Sequence, residues 1–385
     1  MTKPLLGAIS DDFEVQPPPA GQSERLHGID ALRGLAACGI VILHSAFIRP
    51  FGAPGSLGYL ALGVPLFFII SAFSLSFAYD GRLRSRDDVI GYGIKRYARI
   101  APLFYVMLLA WVIALFILNH RLPAFPIILL SATFLFGLDP HTQGSFVPAG
   151  WSIGVEMLFY ACFAVIIRIQ SLKGHALLLA GSLLLSGLFN SIPWTKAPDY
   201  FYYTHFLTNA PYFAFGLVGY RVYRAIPPVH RRIIGHACLV AGFALIGAMI
   251  FWGPQLGPAA STRVPTGLIA GWGLAFFSLV LSQALWPNPV LSNPTTLFLG
   301  RISYSIYLVH PLLIYFSPLT PWLSRPDISW RVKLFGALSF ALPAAILCGG
   351  ILYHVVEKPG QNLGRRLSIR LNEALFRSKP RAIRL

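Results

Sequence analysis

Arg33-Gly34-Leu35-Ala36-Ala37-Cys38-Gly39-Ile40-Val41-Ile42-Leu43-His44 sets an arginine and a histidine inside one apolar run. Extended to residues 29–49, the run has the length a bilayer demands of a helix. Ionisable side chains in hydrocarbon are costly, so the pair reads as functional by default. A separation of eleven residues at ~100° each returns the two side chains to within ~20° of one helix face, and a rise of ~1.5 Å per residue sets them ~16 Å apart. The segment therefore offers a cation near one end of a span and a titratable base near the other.

Runs of this kind recur along the chain. Of 385 residues, 55% are hydrophobic and 12% charged, with a mean hydropathy of +0.63; soluble domains carry roughly twice that charged share. Candidate spans fall at 29–49, 57–79, 100–119, 151–169, 175–192, 205–223, 233–252, 264–286, 297–317 and 332–356. The expected fold is all-α: a polytopic integral membrane helical bundle of about ten transmembrane helices, occupying 27–357 as one domain. Residues 1–26 are polar, acidic and proline-rich, and are expected to form a disordered cytoplasmic tail without a cleavable signal. Residues 358–385 are expected to be a basic cytoplasmic tail.

The net charge is +17. Most of the lysines and arginines fall in loops and at the C-terminal end, where they orient spans and meet anionic lipid; no nucleic-acid partner is expected. The 80–99 stretch, with Arg82, Arg84, Arg86, Lys95, Arg96 and Arg99, is cytoplasmic by that rule. If the short apolar segment 124–138 does not cross, Arg168, Lys173, Arg221, Arg224, Arg231 and Arg232 also fall inside. Both termini are then cytoplasmic, and 124–138 is a re-entrant or interfacial segment on the outer side. The cysteines at 38, 162, 238 and 348 lie in apolar runs without ligand spacing, and no metal is expected.

This layout assigns depths. His44, Glu156 and His310 each fall ~8 Å from the outer ends of their spans, by the helical rise. Arg33, Arg96, Arg99 and Arg301 form a layer towards the cytoplasm. Each residue has a plainer reading by itself. The histidines could be interhelical hydrogen-bonders, His310 before Pro311 could mark a kink, and Arg96 and Arg99 could be topology anchors. Convergence in depth favours function. A histidine beside a carboxylate suits general-base chemistry, and arginines suit phosphate. A base on one side and phosphate binders on the other suggest a phosphorylated cytosolic donor with a long arm, a shape that acyl-coenzyme A has. The alternative is a proton-coupled transporter or flippase of a polar metabolite, in which His and Glu relay protons. The lack of visible inverted symmetry between halves weakens it.

The same residues resemble a known family. Gly28-Ile29-Asp30-Ala31-Leu32-Arg33-Gly34 followed by His44 resembles the N-terminal Arg-x10-His motif of the acyltransferase 3 family. Lys95-Arg96-Tyr97-Ala98-Arg99 resembles its Arg-x-x-Arg motif, and Trp151-Ser152-Ile153-Gly154-Val155-Glu156-Met157-Leu158-Phe159-Tyr160 its Trp-Ser-x-x-x-Glu-x-x-Phe-Tyr stretch. Ser303-Tyr304-Ser305-Ile306-Tyr307-Leu308-Val309-His310 resembles its late Ser-Tyr-x-Ile-Tyr-Leu-x-His segment, and Glu357-Lys358-Pro359 its closing Glu-x-Pro. The resemblance covers about residues 27–357 and is to the stand-alone form, without an added extracytoplasmic domain. It implies an acyl-coenzyme A donor, acetyl-coenzyme A most often, and a hydroxyl acceptor on a carbohydrate or lipid-linked glycan. On this reading His44 is catalytic with Glu156 supporting it, and Arg96 and Arg99, with Arg33 and Arg301, hold the coenzyme A phosphates. His310 or Trp151 holds acceptor or thioester, and Tyr304, Tyr307 and Tyr160 could line the acceptor path.

Overall fold

The computed structural model describes residues 26–47, 55–194, 198, 200–252 and 263–378; most of the expected N-terminal tail lies outside them. Among the described residues every regular element is a helix. Backbone polar groups in hydrocarbon must pair within their own segment, which is why the apolar runs fold this way. In chain order the α-helices are α1 (His27–Phe47), α2 (Gly63–Tyr79), α3 (Arg86–Asn119), α4 (Phe125–Ala132), α5 (Trp151–Ile166), α6 (Leu172–Ser191), α7 (Phe201–Thr204) and α8 (Phe206–Ala225). They continue as α9 (Arg231–Trp252), α10 (Thr266–Leu285), α11 (Pro294–Arg301), α12 (Ser303–Tyr315), α13 (Thr320–Leu323), α14 (Trp330–Leu352) and α15 (Lys358–Ser378).

Seven helical segments are long and apolar enough to cross a membrane, or eight if the bent pair α11–α12 counts as one crossing. The two other expected spans are helical as well. Helix α5 is short at 16 residues. Helix α8 has 20 residues and carries Thr208, Asn209, Arg221 and Arg224 among its apolar ones. The 124–138 segment is α4, 8 residues long, followed by a 3-10 turn at Leu135–Leu138. A helix of that length rises only ~12 Å, too little to span.

Helix α3 starts well before the expected span. Ser85 and Asp88 close a capping box: the Ser85 hydroxyl accepts from Asp88 N at 3.1 Å, and the Asp88 carboxylate accepts from Ser85 N at 2.8 Å. The extra turns place Arg96 and Arg99 on a helix instead of a loop. The late span bends by 72° between α11 and α12, at Ile302 and not at Pro311, which α12 accommodates.

Small residues let backbones touch at the main crossings, as in membrane bundles generally. A Cβ on Gly34 of α1 would lie 2.6 Å from Gly300 N and 2.8 Å from Thr296 O of α11, and one on Gly300 would collide with the Asp30 carbonyl. Gly216 of α8 lies equally close to the Ile69 carbonyl of α2. Between them lies an aromatic core in which Phe213 stacks on Phe159 at 4.1 Å and on Phe68 at 4.6 Å.

Candidate active site

A cavity of about 1210 Å³ opens between α1, α2, α3, α5, α8, α11, α12 and α15. Along α2 its wall runs from Val64 to Ala78, with Asp80 just past the helix end, ~21 Å at the helical rise. Nine arginines line it (Arg33, Arg82, Arg84, Arg96, Arg99, Arg224, Arg231, Arg301 and Arg365) against four carboxylates, Asp30, Asp80, Glu156 and Glu357. A space walled by so many guanidinium groups selects for a polyanion.

The four arginines expected from the sequence all lie on this wall. Arg33 is paired with Asp30 at 2.8 Å and reaches Ser74 at 3.4 Å. Arg96 stands over the Tyr79 ring, 5.7 Å from its centroid, and its buried Nε has no hydrogen-bond partner among the described residues. A buried cationic donor left open is expensive in a finished core and useful in a ligand site.

Further along the wall, Asp80 gathers one end of the bundle. Its Oδ2 accepts from Arg221 at 2.9 Å, Arg224 at 2.7 Å and Tyr220 at 2.9 Å. Burial opposes the charge of Asp80, but the hydrogen bonds from Tyr220, Arg221 and Arg224 prevail and hold its carboxyl below the usual range. Arg221 also donates to His175 and to the Ile169 carbonyl. This knot ties α2, α6 and α8 together.

The other end of the cavity is closed by Tyr307. Its hydroxyl donates to the Ala149 carbonyl at 2.8 Å and takes a hydrogen bond from Ser152 Oγ at 2.8 Å. Its ring lies 5.9 Å from that of His310. Just beyond, His44 Nδ1 and His310 Nε2 are 2.6 Å apart. His310 Nδ1 lies 3.3 Å from the Ile306 carbonyl. A carbonyl can only accept, so His310 carries its proton on Nδ1 and its Nε2 is a lone pair. Nδ1 of His44 must then be the donor, which leaves Nε2 of His44 as a lone pair. The chain of bonds selects one tautomer, the one in which His44 presents a base.

Glu156 does not join this pair. Its Oε1 accepts from Ser71 Oγ at 2.6 Å and from Tyr160 OH at 2.5 Å, on the wall of the arginine-lined cavity. Counting from Trp151 as a surface residue sets Glu156 level with His44. The 133–150 segment corrects that count. Phe136 and Val147 within it are fully buried, and the Phe136 ring lies 2.7 Å from where a Cβ on Gly154 would sit. Helix α5 therefore starts beneath a folded plug, and Glu156 lies correspondingly deeper. Phe134, Ser145 and Ala149 have φ of 58°, 67° and 67°, positions where backbone strain is tolerated because tertiary contacts impose it.

Trp151 packs on Tyr203 at 4.9 Å and on Phe68 at 6.3 Å, off the cavity wall. Tyr304 lines the cavity and donates to the Ile100 carbonyl at 2.8 Å. Ser71, Ser152, Gln361 and Arg365 line it too, although the sequence assigns them no role. Ser71 and Ser152 left a trace, as hydroxyls inside apolar runs; Arg365 left none.

An arginine-lined cavity that ends beside a half-buried, tautomer-fixed histidine suits group transfer, and sequence comparison agrees that the chain is a transferase. The profile of the family described as "Acyltransferase domain" matches residues 26–354. The chain belongs to the acyltransferase 3 family. It is similar to the acyltransferase MdmB of Streptomyces mycarofaciens, 26% identical over 375 residues that span 89% of this chain and 93% of MdmB. It is also similar to the exopolysaccharide production protein ExoZ of Rhizobium meliloti (strain 1021), 26% identical over 320 residues, 79% of this chain and 90% of ExoZ. This is an integral membrane enzyme that transfers acyl groups, which decides between the two functions weighed from the sequence.

Proposed function

We propose that this acyltransferase moves an acyl group, acetyl by preference, from cytosolic acyl-coenzyme A to a hydroxyl of an extracytoplasmic or membrane-associated carbohydrate. The observation that carries the reading is the nine-arginine cavity ending one aromatic ring from the His44–His310 pair. Arg33, Arg96, Arg99 and Arg301 hold the phosphates and the pantetheine arm runs along α2 towards Tyr307. The name of ExoZ, an exopolysaccharide production protein, supports a carbohydrate acceptor. The enzyme sits in a bacterial inner membrane with both termini cytoplasmic, so that the arginine-rich mouth faces the donor pool.

In the reaction, Nε2 of His44 takes the proton of the acceptor hydroxyl as its oxygen attacks the thioester carbonyl. The new C–O bond forms, the tetrahedral intermediate collapses with loss of the C–S bond, and His44 returns the proton to the departing thiolate. Nδ1–H of His44 stays on His310, which supports the ring as it becomes imidazolium. Glu156, with Ser71 and Tyr160, serves the donor arm in the cavity, and Trp151 shapes the acceptor side. The test is release of free thiol from acetyl-coenzyme A by the purified enzyme over a panel of glycans and lipid-linked sugars. Acceptor-dependent release that vanishes in a folded His44→Ala variant is expected. Thiol release that survives this substitution would refute the general-base role.

A further inference from the structure

The chain beyond the last long apolar helix is a wall of the cavity. Helix α14 passes through a π-helical turn, Tyr353–Glu357, directly into α15. Such turns widen a helix locally and often accompany functional sites. Here the turn swings the Glu357 carboxylate inward, where Ser305 Oγ donates to it at 2.7 Å and Gln361 Nε2 at 3.0 Å.

Helix α15 cannot roll about its axis, because a seam of small residues fixes it. Residues four apart share a helix face, and Gly360, Gly364 and Ser368 press on Pro102, Ala98 and Gly91 of α3. Leu363 and Leu367 point outward, 57% and 44% exposed. One step round from the seam run Glu357, Gln361 and Arg365, also four apart, and all three line the cavity. Arg365 is thus carried to the cavity mouth, ~12 Å along the helix from Glu357. The neighbouring Arg366 is exposed and does not line the cavity.

We infer that Arg365 is a donor-binding residue that recognises the phosphate farthest from the thioester, the 3′-phosphate of coenzyme A. This rests on the acyl-coenzyme A reading above. Coenzyme A carries a diphosphate between its pantetheine arm and its ribose, and a separate phosphate on the ribose at the far end. With the thioester at Tyr307, the far phosphate lies at the mouth, where α15 delivers a cation already oriented. The deeper arginines, Arg33, Arg96 and Arg99, are left for the diphosphate.

Binding of coenzyme A and of dephospho-coenzyme A, which lacks only the 3′-phosphate, tests the inference by titration calorimetry. The full-length enzyme is used in neutral phosphatidylcholine nanodiscs, so that no anionic headgroup competes for the arginine. Three variants are compared with wild type: Arg365→Gln, Arg365→Lys and the charge-matched control Arg366→Gln. One charge-assisted hydrogen bond is worth roughly a tenfold step in affinity. Wild type should therefore bind coenzyme A roughly tenfold tighter than dephospho-coenzyme A, and Arg365→Gln should erase that preference by weakening coenzyme A alone. Arg365→Lys should keep most of the preference, and Arg366→Gln should change neither affinity by more than about twofold. Equal weakening of both ligands by Arg365→Gln, or identical behaviour of Arg365→Gln and Arg366→Gln, would overturn the assignment. Wild type that binds neither ligand would overturn the acyl-coenzyme A reading itself, a distinct failure.

Discussion

Replacing His310 by alanine probes the tautomer argument. The substitution removes the acceptor 2.6 Å from Nδ1 of His44. Nδ1–H is then a buried donor without a partner, which costs about 1–3 kcal/mol. His44 can relieve the cost by moving its proton to Nε2 and aligning differently, and Nε2 is then no longer a base. At 1.36 kcal/mol per tenfold, the catalytically competent form falls by about 5- to 150-fold. His310→Ala should therefore lower kcat about 5- to 150-fold with KM for acetyl-coenzyme A nearly unchanged, because His310 does not line the donor cavity. His310→Gln is the control that separates positioning from packing: its side-chain oxygen can accept from Nδ1–H, so it should recover most of the loss. The assay is steady-state thiol release with the acceptor found in the panel, on protein whose melting temperature has been checked in detergent. Wild-type kcat in His310→Ala, or a His310→Gln enzyme as slow as His310→Ala, would refute the tautomer assignment.

Three further outcomes follow from the packing and the charges. Gly300→Ala places a methyl against the Asp30 carbonyl and should destabilise the enzyme by about 1–3 kcal/mol, read as a lower melting temperature. Asp80→Asn removes the negative charge that Arg221 and Arg224 pair with and should cost about 3 kcal/mol, mostly through the buried Arg221. Because the folded state lowers the Asp80 pKa, its contribution is present above the ordinary value of 3.8 and is lost as pH falls below it towards the folded value. Acid unfolding of Asp80→Asn should accordingly lack that step. In intact cells an impermeant thiol reagent should label a cysteine at position 141 and spare cysteines at 85 and 230, in a background with the native cysteines replaced. Labelling at 230 would show that the 124–138 segment crosses the bilayer.

Much of this enzyme is written in its sequence. Apolar runs of bilayer length force helices because hydrocarbon offers backbone groups no other partner. The spacing of Arg33 and His44 put a cation and a base on one face, and charge convergence drew Arg96, Arg99 and Arg301 to one cavity, where all line the same wall. Depth along the spans sets His44 and His310 in one layer, together with Glu156; that His44 meets His310, 2.6 Å away, is decided by the packing of α1 against α12. Other features came only from the tertiary structure. Glu156 joins Ser71 and Tyr160, away from His44, because α5 begins beneath the 133–150 plug; counting residues measures height along a helix but not where the helix starts. The bend at Ile302 arises where Gly300 meets the backbone of α1, a contact between segments distant in sequence. Arg365 looks like any tail arginine until a seam of small residues fixes the rotation of α15 against α3. Periodicity assigns a residue to a face; which neighbour that face meets is set by packing over the whole chain.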